Sequence, residues 1–174
     1  LAGLRIEPVV AIAAAVAAPA EGAGIGHRHL HDVAAGRDQV DPIAGRECVA
    51  DVYRQAGITD PFNEIDAVEC YVPFRWYEPM WMENLGFAEV GEGWKLTESG
   101  ATGPEGALPV NCSGGVLSSN PIGSSGLVRF GEAAMPVRGQ AGAHQVDGVR
   151  RALGHAYGGA TQFYAMWVVG TDKP

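Results

Sequence analysis

A chain of 174 residues that is 47% hydrophobic can hide a sizeable core, so one globular domain over residues 1–174 is the expected organisation. The formal net charge of −8 leaves no basic face for phosphate neutralisation, which excludes nucleic acid as an expected partner. Cys48, Cys70 and Cys112 are odd in number and form no C-x-x-C pair, so neither a disulfide framework nor a zinc site is expected, and a reducing cytoplasm is the natural setting.

The first apolar run, "VVAIAAAVAAPAEG" from Val9 to Gly22, has the length and small-residue ending of a secretory signal, but Glu7 interrupts the positive leader that such a signal needs. A buried strand is the simpler reading. The run is also shorter than the roughly 20 apolar residues of a membrane span, so none is expected. Because the chain begins at a leucine, it is also expected to be part of a longer polypeptide. The next segment, "GAGIGHRHLHDVAAGRDQVD", is glycine-rich and polar and reads as a surface loop. Within it His27, His29 and His31 alternate ahead of Asp32 and would share one face of an extended strand. With glycines around them and no further fixed ligand, a metal site there is the lesser reading and a solvated loop the expected one.

A helix follows, with Asp41 as its cap, Pro42 at its first position and Gly57 as its stop. Ile43, Cys48, Val49, Val52 and Ala56 give it one buried stripe. A short strand is predicted around Ala67 to Tyr71, ended by Pro73. In "FRWYEPMWMENLGF", Phe74, Tyr77, Trp81 and Leu85 fall at helical spacing, with Trp76 and Met80 alongside and Gly86 as a C-terminal cap. Core packing is the first reading of that aromatic stripe, and a wall for a large apolar ligand or partner is the second. From Glu89 to Asn111 no period is visible, so an irregular excursion is expected. Ser124 or Ser125 can cap the next helix, with Leu127, Phe130 and Ala134 inward and Pro136 awkward near its end. "VRRALG" and "QFYAMWVVG" read as strands, the second apolar on both faces, as in a sheet covered on both sides. The order of elements makes a layered α/β domain.

Two segments suggest chemistry. In "SSNPIGSSG" a glycine turn runs into a capped helix, which aims backbone N–H groups and a positive dipole end at its mouth, and Asn120 adds an amide donor. Such donors stabilise an enolate or oxyanion. "ALGHAYGG" sets His155, Tyr157, Gly158 and Gly159 side by side.

These segments also carry a resemblance. "VNCSGGVLSSNPIGSSGLVRFGEAAMPVRGQAG" resembles the "N-x-S-G-G... G-H-P-x-G-x-x-G" segment of thiolases, in the branch with the sterol-carrier and lipid-transfer thiolases. "EIDAVECYVPF" resembles the strand and loop that bear that branch's "E-L-H-D-C-F" motif, and "ALGHAYGG" resembles its last glycine-rich catalytic loop. The resemblance spans roughly Ile6 to Gly170. It implies the second half of a thiolase-like subunit: a five-stranded mixed sheet covered by helices on both faces, with the half that carries the nucleophilic cysteine absent from this sequence.

The departures from the pattern bear on function. Tyr71 stands where the branch has the histidine of H-D-C-F, Pro73 where it has the acid/base cysteine, and Asn120 where thiolases have the histidine of G-H-P. Claisen chemistry needs a thiolate and a second base, and proline supplies neither. Cys70 points away from Tyr71 on a strand, and Cys112 lies apart from the matching loops. The substitutions resemble those of lipid-transfer proteins that act as aldolases in steroid side-chain degradation, where tyrosines occupy the catalytic loops.

The resemblance implies a lyase that cleaves a β-hydroxyacyl-CoA by a retro-aldol step. Tyr71 and Tyr157 would form the acid/base pair, His155 would orient a tyrosine or polarise the thioester, and Asn120 would hold the oxyanion. Gly123, Gly158 and Gly159 would let backbone approach the substrate, and Trp76 and Trp81 would line its apolar end. It further implies a CoA thioester as substrate with no bound cofactor, a homodimer, and a small zinc-and-OB-fold partner. Two other readings remain: an acetyl-CoA acyltransferase completed by an absent half, and a non-catalytic lipid or acyl-CoA carrier. Without the resemblance, Tyr71 and Tyr157 would read as buried rings whose hydroxyls are satisfied by backbone.

Overall fold

The computed structural model describes residues 10–17, 40–159, 161 and 163–171. His27, His29, His31 and Asp32 lie outside them. Four strands form one sheet: β1 (Val10–Ala17), β2 (Ala67–Glu69), β3 (Arg151–Gly158) and β4 (Phe163–Gly170), in the spatial order β1-β4-β3-β2. β4 runs antiparallel to both of its neighbours, and β2 pairs parallel to β3. The mixed sheet was expected; a fifth strand is not found among the described residues. Its place beside β2 is taken by a single parallel bridge between Val68 and Val110. The Val68 N–H donates to Pro109 O and Asn111 N–H donates to Val68 O. There the pairing stops, because Asn111 turns left-handed at φ 52° and leads the chain off the edge.

Val10–Ala17 therefore forms a strand, paired along its length with β4. Alternation along β2, β3 and β4 divides the core in two. On one face Val68, Leu153, Tyr164, Met166 and Val168 meet helix α1 (Ile43–Ala56) and helix α3 (Tyr77–Asn84). On the other, Ala67, Ala152, Trp167 and Val169 meet helix α6 (Ser125–Val137). The domain is thus an α/β layer structure with helices on both sides, as its pattern predicts.

Several local expectations shift. α1 buries Cys48, Val49, Val52 and Ala56 and ends at left-handed Gly57, but Ile43 in its first turn is 66% exposed. Asp41 is ion-paired with Arg46. β2 is shorter than expected, stopping at Glu69. α3 buries Tyr77, Trp81 and Leu85 beside it, whereas Phe74 lies before the helix and is exposed. The stretch expected to be irregular holds a short helix, α4 (Gly93–Glu98), besides the one-turn helices α2 (Pro61–Glu64) and α5 (Gly115–Ser118) placed elsewhere. α4 is tied to α3 by Gly93 N–H donating to Glu83 Oε1 at 3.0 Å, a tertiary bond that no period in the sequence signals.

α6 packs Phe130 and Ala134 against the sheet as expected, but Leu127 does not face inward. It buries Ser125, Arg129, Ala133, Pro136 and Val137, while Leu127 is 73% exposed. Arg129 is a buried residue that the apolar stripe does not mark. Its Nη1 donates to Glu69 Oε2 at 2.6 Å and to Ser113 Oγ at 2.9 Å, so a buried cation on α6 meets a buried carboxylate on β2. Ser113 completes the cluster, its N–H on Glu69 Oε1 at 3.1 Å and its hydroxyl on Oε2 at 2.8 Å. Burial raises the Glu69 carboxyl above the usual carboxylate range, against these donors and Arg129.

Candidate active site

Three segments converge at one end of the sheet: the stretch after β2 with Tyr71, the turn before α6 with Asn120, and the last half of β3 with His155 and Tyr157. The Tyr71 and Tyr157 rings meet edge to face, with centroids 5.2 Å apart and planes at 88°. Pairing His155 with Met166 and Tyr157 with Tyr164 fixes β3 in register here, so His155 and Tyr157 project to the same side. Both residues expected in a loop therefore belong to a strand.

Asn120 reaches Tyr71 through both amide atoms. Its Nδ2 lies 3.2 Å from Tyr71 Oη and its Oδ1 lies 3.4 Å from it. Ser125 Oγ donates to the same Oδ1 at 2.5 Å. Asn120 itself is exposed, whereas Ser125 is buried at the start of α6. A Cβ on Gly126 would stand 3.0 Å from Ala156 Cβ, so the first turn of α6 presses on β3 one residue before Tyr157.

Beneath the pair, aromatic rings are stacked. Tyr77 and Tyr164 lie nearly parallel to Tyr157, with centroids at 5.8 and 6.0 Å. Trp81 touches Tyr157 at 5.4 Å and His155 at 4.5 Å, and its indole N–H donates to Tyr71 O at 2.8 Å. Trp81 and His155 are both fully buried, so neither presents a face to open space. Trp76 is half-exposed and lies 4.0 Å from the Tyr77 ring, which extends the aromatic pile to the surface. Gly158 ends β3 beside open space, Gly159 turns left-handed at φ 61°, and Gly123 does so at φ 91° two residues before α6.

The electrostatics separate these groups. Burial pushes His155 down to about 3, so the imidazole is neutral. Its Nδ1 accepts the Tyr71 backbone N–H at 3.3 Å, which puts the ring proton on Nε2. The Tyr157 phenol is pushed up, first by burial and then by a hydrogen bond with Tyr77 and by the phenols of Tyr77, Tyr71 and Tyr164. It stays protonated at any ordinary pH. Burial likewise pushes up the thiols of Cys70 and Cys112, each with Glu69 adding to the rise, so neither is a ready nucleophile. Among the described residues no cluster of His, Cys, Asp and Glu is arranged to hold a metal ion. Nor is any described helix long and apolar enough to cross a membrane.

Tyr77, read in the aromatic stripe as core or ligand wall, Tyr164, read in the apolar last strand, and Ser125 are not marked as site residues in the sequence. Ser125 is there one of two serines able to cap α6, and the structure gives its hydroxyl to Asn120 instead.

Comparison with known proteins gives this arrangement its context. Residues 22–171 match the family described as thiolase C-terminal domain-like. The chain is 34% identical over 131 residues to an acetyl-CoA acetyltransferase of Methanothermobacter thermautotrophicus, covering 75% of this chain and 33% of that one. It is 35% identical over 116 residues to human sterol carrier protein 2, covering 66% of this chain and 20% of that one. Among solved structures it resembles the Ltp2-ChsH2(DUF35) aldolase, with a TM-score of 0.65 and 25% identity over 75% of this chain and 32% of that one. The chain thus spans a third or less of the length of these relatives.

Proposed function

Since this chain belongs to the thiolase C-terminal domain-like family, we propose that its paired tyrosines perform a retro-aldol cleavage, making it part of a carbon–carbon lyase acting on a β-hydroxyacyl-CoA thioester. The observation that carries the proposal is the edge-to-face contact of Tyr71 and Tyr157 at 5.2 Å, with an amide donor on Tyr71. The contact of the two rings supports assigning their phenols to the two proton transfers that the reaction needs. In the forward step the Tyr71 oxygen takes the β-hydroxyl proton, its own proton having passed to water. The carbinol oxygen becomes a carbonyl, the Cα–Cβ bond breaks, and its electron pair becomes the thioester enolate. Tyr157, the phenol held protonated, then gives its proton to the enolate carbon. In sum one proton passes from Tyr157 to Tyr71, and exchange with water resets the pair.

Asn120 is assigned to the Tyr71 oxygen and, with the N–H groups at the start of α6, to the developing oxyanion. Neutral His155 positions Tyr71 by accepting its backbone N–H. Trp76 offers an apolar ledge for the acyl end, which we assign to a bulky, sterol-like side chain. The pushed-up thiols of Cys70 and Cys112 support a route without an acyl-enzyme on this chain. The solved aldolase pairs Ltp2 with ChsH2(DUF35), which supports a partner protein for this chain; on the family resemblance we assign that partner as a small zinc-and-OB-fold protein and the core as a homodimer.

A second reading, an acyltransferase completed by a cysteine elsewhere, rests on the identity with the acetyl-CoA acetyltransferase. One experiment separates the two. With a β-hydroxyacyl-CoA substrate, in the assembly that supports turnover, Tyr71→Phe and Tyr157→Phe are each expected to slow cleavage by about 10² to 10⁴, the usual worth of a positioned acid or base. Cleavage untouched by both changes rules out the phenol pair, and a trapped acyl-cysteine during turnover establishes the acyltransferase.

A further inference from the structure

Asn120 carries one acceptor and one pair of donors on a single amide, and two neighbours compete for them. Turned one way, the amide offers N–H to the Tyr71 oxygen, which then stands ready to accept a proton from substrate. Turned the other way, it offers a carbonyl that keeps the phenol's own proton in place.

Ser125 Oγ is 2.5 Å from Asn120 Oδ1, and between a hydroxyl and an amide carbonyl only the hydroxyl can donate. Ser125 is only 4% exposed and leads α6, whose first turn is wedged on β3 by Gly126 against Ala156 and pinned to β2 one turn later by Arg129 on Glu69. Asn120 is exposed, and its C=O accepts the Ile122 N–H two residues on. We propose that Ser125 is a positioning residue: its hydroxyl, 2.5 Å from Asn120 Oδ1, outcompetes Tyr71 Oη, 3.4 Å from the same atom, and so turns Nδ2 toward Tyr71 Oη, 3.2 Å away, and fixes Tyr71 as the proton acceptor of the pair. This assignment rests on the lyase reading above and adds to it a residue that sets the direction of proton flow.

Three variants and two readouts test it. Ser125→Ala releases the amide, Ser125→Thr keeps a hydroxyl at the same atom, and Tyr71→Phe removes the group being oriented. In ¹⁵N-labelled protein, Ser125→Ala is expected to move the Asn120 side-chain amide signals toward those of a freely rotating amide, and Ser125→Thr to restore them. For cleavage, Ser125→Ala should lower kcat by about 10²-fold, the scale of a misplaced catalytic group, with KM little changed, while Ser125→Thr recovers most of the loss.

Unmoved amide signals or an unmoved kcat in Ser125→Ala overturns the assignment. If Tyr71→Phe nonetheless abolishes cleavage, the lyase reading survives that loss. If the signals respond but even Tyr71→Phe leaves cleavage intact, the lyase reading fails and takes the catalytic meaning of Ser125 with it.

Discussion

His155 is held in the core as a neutral ring under Trp81, and this makes a single residue answerable for part of the protein's acid sensitivity. Its pKa is pushed down from 6.5 to about 3 by burial, so on acidification the unfolded chain takes up a proton that the folded chain refuses. Stability contributed by the neutral ring is therefore fully present above pH 6.5 and is lost as the pH falls toward 3. By pH 5 the linkage amounts to about 2 kcal/mol. Glu69 acts with the opposite sign: its raised pKa means that the folded state holds the extra proton through the upper carboxylate range. Comparing His155→Gln with the parent isolates the histidine. The parent's urea midpoint is expected to drop more between pH 7 and pH 5 than the variant's, and equal drops would show that His155 does not titrate in this way.

Among the elements, β3 and β4 were the most legible and α6 the least. A nearly continuous apolar run marked β4, because a strand covered on both faces lacks polar alternation. β3 ran further than its pattern suggested, since His155 and Tyr157 look polar in sequence yet pack as rings. For α6 the apolar stripe placed Phe130 and Ala134 rightly but also pointed to exposed Leu127 and missed the buried Arg129. A period measures hydrophobicity, and an ion pair spanning 60 positions leaves no trace in it. The β3/β4 pair also contains an indole lying across a bare backbone: Gly154 faces Trp167, and a Cβ on Gly154 would stand 1.8 Å from Trp167 Nε1. Gly154→Ala must push that indole aside, which costs about 1–3 kcal/mol in an already filled core. Adding Trp167→Leu to Gly154→Ala should recover part of the loss. Denaturant unfolding with tryptophan fluorescence measures both, and a Gly154→Ala variant as stable as the parent would contradict the close packing.

At the scale of the whole molecule the question is what brings three distant segments to one point. Tyr71, Asn120, His155 and Tyr157 were legible because quoted motifs named them. Ser125, Tyr77 and Tyr164 were not, because their role at the site arises only when β2, β3, β4 and α6 have assembled. Sheet order brings β2 beside β3, which accounts for Tyr71 meeting Tyr157. The sheet does not account for Asn120, which arrives on the leading turn of α6 from the opposite face. The Glu69–Arg129–Ser113 cluster joins that helix to β2, two residues before Tyr71 and one turn after Ser125. Removing one partner leaves a buried charge uncompensated, so Arg129→Met or Glu69→Leu alone is expected to cost about 3–5 kcal/mol. Replacing both with apolar residues relieves the desolvation as well as the attraction, so the double variant should be more stable than either single. If the cluster also aligns the site, that double variant should refold yet cleave substrate more slowly than the parent, because neither residue touches the phenols and only the spacing of α6 from β2 has changed. Unfolding midpoints and kcat on the same three proteins decide the matter: a double variant restored in stability and undiminished in kcat would leave the ion pair a purely structural tie.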